Sequence, residues 1–137
     1  MKKILLDTNF LMIPLQFRVD IFSELDRICN FNYKLYIFEE SINELRNIIG
    51  NSNSSGKDKK AAQITLKLIK FKNVNLIRSK KKDVDSLILE NSEKYDIIAT
   101  QDKNLKRKLV EKGVSLIVLR NKKYLMLNET GVVQIFL

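Results

Sequence analysis

A chain of 137 residues with 45% hydrophobic content suits one compact domain with a real core. A single cysteine excludes an internal disulfide and a thiolate zinc site, and the absence of histidine excludes Ser-His-Asp and Cys-His chemistry and any imidazole ligand. The net charge of +9 points to a polyanionic partner, nucleic acid first, although a lysine-rich solvated surface accounts for the charge alone equally well.

No apolar run approaches the roughly 18 residues that span a membrane. Met1-Lys2-Lys3 is followed by only three aliphatics before Asp7, which is not a signal-peptide pattern. The expectation is a soluble cytoplasmic protein with no membrane partner.

The chain opens with Ile4-Leu5-Leu6, which reads as a short buried strand that stops at Asp7. Phe17, Ile21, Leu25 and Ile28 then recur at helical spacing, and Cys29 falls in the same pattern as a small core residue. Lys34 to Phe38 reads as a second strand. Ser41 opens a helix with Ile42, Leu45, Ile48 and Ile49 on one side. Gly50 to Gly56 is a flexible connection by composition. It is not a phosphate-binding P-loop: its glycines are one residue too far apart, and Lys57 is followed by Asp58 rather than Ser or Thr.

From Asp58 to Phe71 a helix carries Ala61, Ile64, Leu68 and Phe71 in one row, with Ala62, Leu66 and Ile69 beside it. An arc that wide covers more than one surface: the sheet is one, and a neighbouring subunit or simply more core is the other. Val74 to Ile77 is a third strand. A helix starts near Asp83 with Val84, Leu87, Ile88 and Asn91 inward. Ile97-Ile98-Ala99 is the fourth strand and ends at Thr100-Gln101-Asp102. The next helix holds Leu105 and Leu109 inside and stops at Gly113, an expected helix terminator. Val114 to Leu119 is the fifth strand, and Leu125 to Leu127 with Val132 to Phe136 suggests a small terminal hairpin. Strands alternating with helices indicate an α/β domain with a parallel sheet.

In open α/β sheets, ligands bind beyond the carboxyl ends of the strands. Asp7 ends strand one, and Asp102 lies just past strand four. Asp85 sits in the first turn of the helix leading to strand four, and Glu44 sits early in the helix after strand two. With strand one central, all four reach the same edge. Clustered carboxylates repel and hold raised pKa values unless a cation joins them. An all-oxygen donor set suits Mg²⁺ or Mn²⁺, which activates water and offsets charge on a phosphoryl oxygen.

Each acid also has a plainer explanation. Asp7 suits a turn residue. Ser41-Ile42-Asn43-Glu44 fits a capping box. Asp83 and Asp85 suit helix capping or dipole roles, the preferred explanation for Asp83, and Asp102 suits an N-cap. Together, four acids at one edge are harder to explain as caps. Asn9 and Thr100 are supporting candidates that orient a carboxylate or water, or else make local turn bonds.

These stretches resemble the PIN-domain proteins, small metal-dependent ribonucleases. The resemblance is carried by Leu6-Asp7-Thr8-Asn9, by Ile42-Asn43-Glu44-Leu45, by Asp85-Ser86-Leu87-Ile88, and by Ile98-Ala99-Thr100-Gln101-Asp102 with Leu105 and the basic helix after it. It spans Lys3 to Leu127 and sets the expected boundaries: a nuclease domain over 1–127, with 128–137 as an extension or a terminal strand of the same domain. The resemblance implies a three-layer α/β/α sandwich around a parallel five-stranded sheet of order 3-2-1-4-5. It implies Asp7, Glu44, Asp85 and Asp102 as catalytic metal ligands, Asn9 and Thr100 as supporting positions, and one or two Mg²⁺ or Mn²⁺ ions. It further implies hydrolysis of RNA phosphodiesters and a homodimer. The segments Phe17 to Leu25 and Val118 to Leu125 look most like archaeal stand-alone members near the ribosomal-RNA-processing branch. VapC-type toxins share the acids, so an antitoxin or a ribosome-assembly partner is implied according to branch. Gln101 departs from the smaller polar residue of many relatives and is expected to tune the site.

Lys80, Lys81, Lys82, Lys106, Arg107 and Arg120 are candidates to track an RNA backbone. No aromatic platform for unpaired bases is evident in the sequence. The rival function is a PIN-like module that binds RNA or a protein without cutting. A phosphoacceptor receiver domain is disfavoured, because Asp7 lacks an acidic neighbour and Ile77 is followed by Arg78.

Overall fold

Successive side chains of a strand point to opposite faces, so a fully apolar strand must be covered on both sides. That requirement sets the architecture. The computed structural model describes residues 1–129. In chain order the elements are β1 (Lys2–Leu6), α1 (Thr8–Leu11), α2 (Ile13–Phe17), α3 (Ile21–Ile28), β2 (Tyr33–Phe38), α4 (Glu39–Gly50) and α5 (Gly56–Phe71). Then come β3 (Asn75–Ile77), α6 (Val84–Asn91), a 3₁₀ turn (Ser92–Lys94), β4 (Ile97–Ala99), α7 (Lys103–Glu111), β5 (Ser115–Arg120) and β6 (Tyr124–Asn128).

Ile4 and Leu6 of β1 join Ile97 and Ala99 of β4 and Ile117 of β5 in one core, under Ile21 and Leu25 of α3, Leu45 of α4 and Ala62 of α5. Leu5, Ile98, Leu116 and Val118 face the other way and meet Leu87 and Ile88 of α6 and Leu105 and Leu109 of α7. The result is the expected three-layer α/β/α sandwich.

Among the described residues the sheet has six strands in the order β3-β2-β1-β4-β5-β6. The five parallel strands keep the expected order, with Ile4 beside Leu35 on one flank and beside Ile97 on the other. The expected five-stranded sheet is corrected by β6, which pairs antiparallel with β5, Arg120 opposite Tyr124. Only an antiparallel return can be made in so few residues, and Asn121 and Lys122 turn the chain in the left-handed region at φ 53° and 55°. Leu125 to Leu127 therefore pair with β5. Val132 to Phe136, the other half of the expected hairpin, lie outside the described residues.

Among the described residues β6 is an edge strand, and its outer side is partly covered. Leu125 N–H donates to Glu24 Oε1 at 2.9 Å, and Arg27 Nη2 donates to the Leu125 carbonyl at 3.0 Å. Glu24 and Arg27, one turn apart on α3, also pair with each other at 2.8 Å.

Two expectations about helices need adjustment. α5 starts at Gly56, with Ser55 as its N-cap accepting from Asp58 N–H. It packs against α4, and Thr65 brings its hydroxyl 3.3 Å from Met12 Sδ. Phe71, expected in the inward row, is 77% exposed at the last position of the helix. The helical pattern from Phe17 to Ile28 is broken at Arg18, which ends α2 at φ 56° with its N–H donating to the Pro14 carbonyl at 3.1 Å. An L-residue pays roughly 1 kcal/mol for that conformation, and glycine does not. Arg18→Gly is expected to raise stability by about that amount, read as a higher thermal-melting midpoint.

Among the described residues, no helix is long and apolar enough to cross a membrane.

Candidate active site

β1 delivers Asp7 to the carboxyl edge of the sheet, where its N–H donates to the Ala99 carbonyl of β4 at 2.9 Å. The residue is 3% exposed. Oδ1 accepts from Thr8 N–H at 2.8 Å, so Asp7 caps α1. Oδ2 accepts from the Thr100 hydroxyl at 2.6 Å. Burial is the main reason that the carboxyl is pushed up to about 6. The Thr100 bond opposes that shift, Asp85 adds to it, the Thr8 bond opposes it, and Glu44 adds again.

Glu44 lies in the second turn of α4 and is half-buried. Burial raises its pKa most. Bonds from the Thr8 hydroxyl and the Val84 N–H pull it down, and Asp85 and Asp83 push it up. The capping-box explanation does not hold. Phe38 leads straight from β2 into α4, which begins at Glu39, so Ser41 sits inside the first turn rather than opening the helix. Ser41 is fully buried instead, with its Oγ 2.8 Å from Thr8 Oγ. The Thr8 hydroxyl has one proton, so when it donates to Glu44 the Ser41 hydroxyl donates to Thr8.

Asp83 caps α6 as expected, accepting from Ser86 N–H at 3.0 Å and from Ser86 Oγ at 2.9 Å. That leaves Asp85 free of the capping task. Asp85 is raised by burial first, then by Asp102 and Asp83, while Lys108 of α7 lowers it. Asp102 does cap α7, with Oδ1 accepting from Leu105 N–H at 3.0 Å. Its Oδ2 takes no hydrogen bond among the described residues. Its own N–H donates to Thr100 Oγ at 3.1 Å, so one buried hydroxyl bridges Asp7 and Asp102.

Asn9 makes a bond across the sheet edge in place of the local turn bond that was the alternative for it. Its Oδ1 accepts from Gln101 N–H at 3.2 Å, and Gln101 Nε2 donates to the Asn9 carbonyl at 3.0 Å. This pair ties the start of α1 to the loop after β4 and so fixes the spacing between Asp7 and Asp102.

The four predicted acids therefore come from four elements to one edge and feel one another in a chain. Asp7 meets Glu44 and Asp85, Glu44 meets Asp85, and Asp85 meets Asp102. All donors are oxygens, and three of the carboxyls are raised, a strain that a hard cation would relieve. Among the described residues, no three carboxylates are gathered tightly enough to form a finished ion cage. The donor set fits Mg²⁺ or Mn²⁺ in kind, in an open arrangement.

The predicted basic residues divide. Lys106 lies beside Arg120 and Lys103, and burial followed by those two cations lowers its pKa. Lys82 is engaged by Glu90. Lys80, Lys81 and Arg107 are exposed. Sequence reasoning missed Thr8, Ser41 and Lys108. Thr8 adjoins the first acid, and Ser41 precedes Glu44 by one helical turn; those spacings were the available signals.

A sheet of this order with acids converging on its carboxyl edge defines a class of three-layer α/β/α domains built around an acidic site. The PIN like domain family matches residues 4–122, and the chain belongs to that family. It is 33% identical over 126 residues to Ribonuclease VapC4 of Methanocaldococcus jannaschii, covering 90% of this chain and 95% of that protein. Its fold is similar to that of the PIN domain endonuclease Utp24, with a TM-score of 0.74 and 21% identity, covering 93% of this chain and 91% of the other. It is also similar to a domain of a functionally unknown protein from M. jannaschii, with a TM-score of 0.56 and 16% identity over 88% of this chain and 92% of that one.

Proposed function

We propose that this protein is an Mg²⁺- or Mn²⁺-dependent endoribonuclease. The observation that carries the reading is the convergence of Asp7, Glu44, Asp85 and Asp102 on one edge, with Asp7 buried and its pKa pushed up to about 6. The curated relative named a ribonuclease and the net charge of +9 support RNA as the substrate.

Asp7, Glu44, Asp85 and Asp102 would hold one or two divalent ions. Bound there, the metal supplies an activated water and offsets charge developing on the phosphoryl oxygens. The chain's own groups do the positioning. Thr100 fixes one oxygen of Asp7, and Thr8 backed by Ser41 steadies Glu44. Asn9 and Gln101 hold the two loops at a set distance. Lys106 and Arg120, at the Asp102 side, meet the substrate backbone. Lys108, beside Asp85, adds positive charge near the reacting phosphate.

The proposed setting is cytoplasmic, with the nuclease domain over 1–127 and a homodimer as the assembly. Processing of RNA and VapC-type toxin activity, the latter restrained by an antitoxin, are two uses of the same chemistry. The open spacing of the acids favours a second reading, a PIN-like module that binds RNA or protein and cuts weakly.

Cleavage of a labelled structured RNA with Mn²⁺, with Mg²⁺ and with EDTA separates the two. The expected result is cutting with either ion and none with EDTA. The melting temperature is also expected to rise with Mn²⁺, because an ion that binds only the folded state stabilises it. Salt-sensitive RNA binding without cutting under any condition would select the binding module.

A further inference from the structure

Apart from the acidic site, the fold builds an open cavity of about 420 Å³, within the size range of small-ligand sites. It opens where β2 and β3 end, lined by Phe38 and Ile77, and runs alongside α6 past Leu87 and Asn91 to Tyr95. Its β2–β3 end lies on the carboxyl edge that the acids share, while α6 runs back across the sheet from Asp85 at its start, so that Asn91 and Tyr95, just before β4, lie toward the amino edge.

Its lining is mixed in a particular way. Tyr95 lines it, and Tyr36 of β2 tilts against Tyr95 with ring centroids 5.9 Å apart. Tyr36 and Tyr95 are remote in sequence, which is why no aromatic platform was legible there. Arg78, Lys80 and Lys94 bring three positive charges to the cavity, and Glu90, the one acid in its lining, is engaged by Lys82. Among the described residues Arg78 meets an acid at 4.0 Å, Glu39. Ser79 Oγ is shielded from solvent and finds no partner among the described residues. Asn91 spends its amide N–H on the Leu87 carbonyl, which leaves its side-chain oxygen as an acceptor. An aromatic wall, an unspent hydroxyl, a free amide oxygen and a cationic rim are the groups that recognise a planar base carried on phosphates.

We propose that this cavity is a subsite for one unpaired nucleotide of the RNA strand, its base against Tyr95 and its flanking phosphates on Lys80, Lys94 and Arg78. The inference rests on the RNA reading above and deepens it. The nuclease takes a strand that carries an unpaired base, free to leave a helix, at a distance from the cut.

The test is binding, in EDTA so that nothing is cut. Fluorescein-labelled decauridylate is compared with an abasic decamer of equal phosphate count. Wild type is expected to bind the uridylate about tenfold more tightly than the abasic strand. Tyr95→Leu is expected to close that gap. Lys80→Gln/Lys94→Gln, confined to the surface and safe for the fold, is expected to weaken both strands. It should also reduce the slope of log Kd against log salt by about 1.4. Lys57→Gln/Lys60→Gln on α5 removes the same charge elsewhere and is expected to do little. Equal affinity of wild type for both strands, a gap that survives Tyr95→Leu in a folded protein, or equal losses in the two lysine pairs would overturn the subsite. Displacement of the strand by UMP at micromolar concentration would also overturn it, in favour of a free-nucleotide site. Wild type that cuts RNA yet ignores the base sinks only this inference; wild type that neither binds nor cuts RNA sinks the nuclease reading with it.

Discussion

Asp7→Asn is expected to lower RNA cleavage at least about a thousandfold while making the metal-free protein more stable at pH 8. The first half follows from removing the most central anionic ligand from a site that works by holding charge. The second half follows from the pKa. In the fold the Asp7 carboxyl sits at about 6 against an ordinary 3.8. Between those values the folded chain binds more protons than the unfolded one, so stability falls as pH rises through the window. Above it the whole penalty remains, about 3 kcal/mol. Asparagine does not ionise. Its oxygen can accept from Thr8 N–H, and its amide can donate to Thr100 Oγ once that hydroxyl turns. The variant should gain about 2 kcal/mol at pH 8 and little near pH 4, a rise of roughly 6 °C in the alkaline melt. Melting curves of EDTA-treated wild type and variant at both pH values check it. A variant that keeps activity and melts lower at pH 8 would remove Asp7 from the centre of the site.

Thr100→Val is expected to fail in the opposite direction. Thr100 is fully buried, donates to Asp7 Oδ2 at 2.6 Å and accepts from Asp102 N–H at 3.1 Å. Valine keeps the shape and removes both bonds, which costs about 2 kcal/mol for the groups left unpaired. The lost bond was also holding the Asp7 carboxyl down, so that carboxyl climbs further and the destabilisation grows as pH rises. Activity should fall about 10- to 100-fold, as for loss of a group that orients a ligand. Thr100→Ser restores the hydroxyl and should recover most of both losses. Equal melting of Thr100→Val and wild type at pH 8 would show that the bridge contributes nothing.

Strands β1, β4 and β5 were legible because each is a short apolar run buried on both faces, as Leu5 between Ile4 and Leu6 shows, whereas the order of the sheet came from the PIN-domain resemblance. Asp7 and Asp102 were legible as candidates because each follows such a run, and Asp85 because it sits in the first turn of a helix leading to β4. The start of α4 was not. Ser41 has the sequence signature of an N-cap, yet the chain needs no side-chain cap where Phe38 passes directly from strand to helix. The Tyr36 and Tyr95 contact was not legible either, since it depends on how the 3₁₀ turn after α6 meets β2. β6 was read as part of a terminal hairpin, because an apolar run does not say which neighbour it will pair with.

The side chains of Glu24 and Arg27 over Leu125 have a consequence for assembly. An exposed strand edge is a template on which another chain can extend the sheet. Here the outward N–H and carbonyl of Leu125 are already taken by α3. A second copy cannot zip onto β6 at that residue without first displacing an ion pair. The continuous ribbon that leads to fibrils is thereby interrupted, and self-association is steered toward side-chain surfaces, where partners can dissociate again.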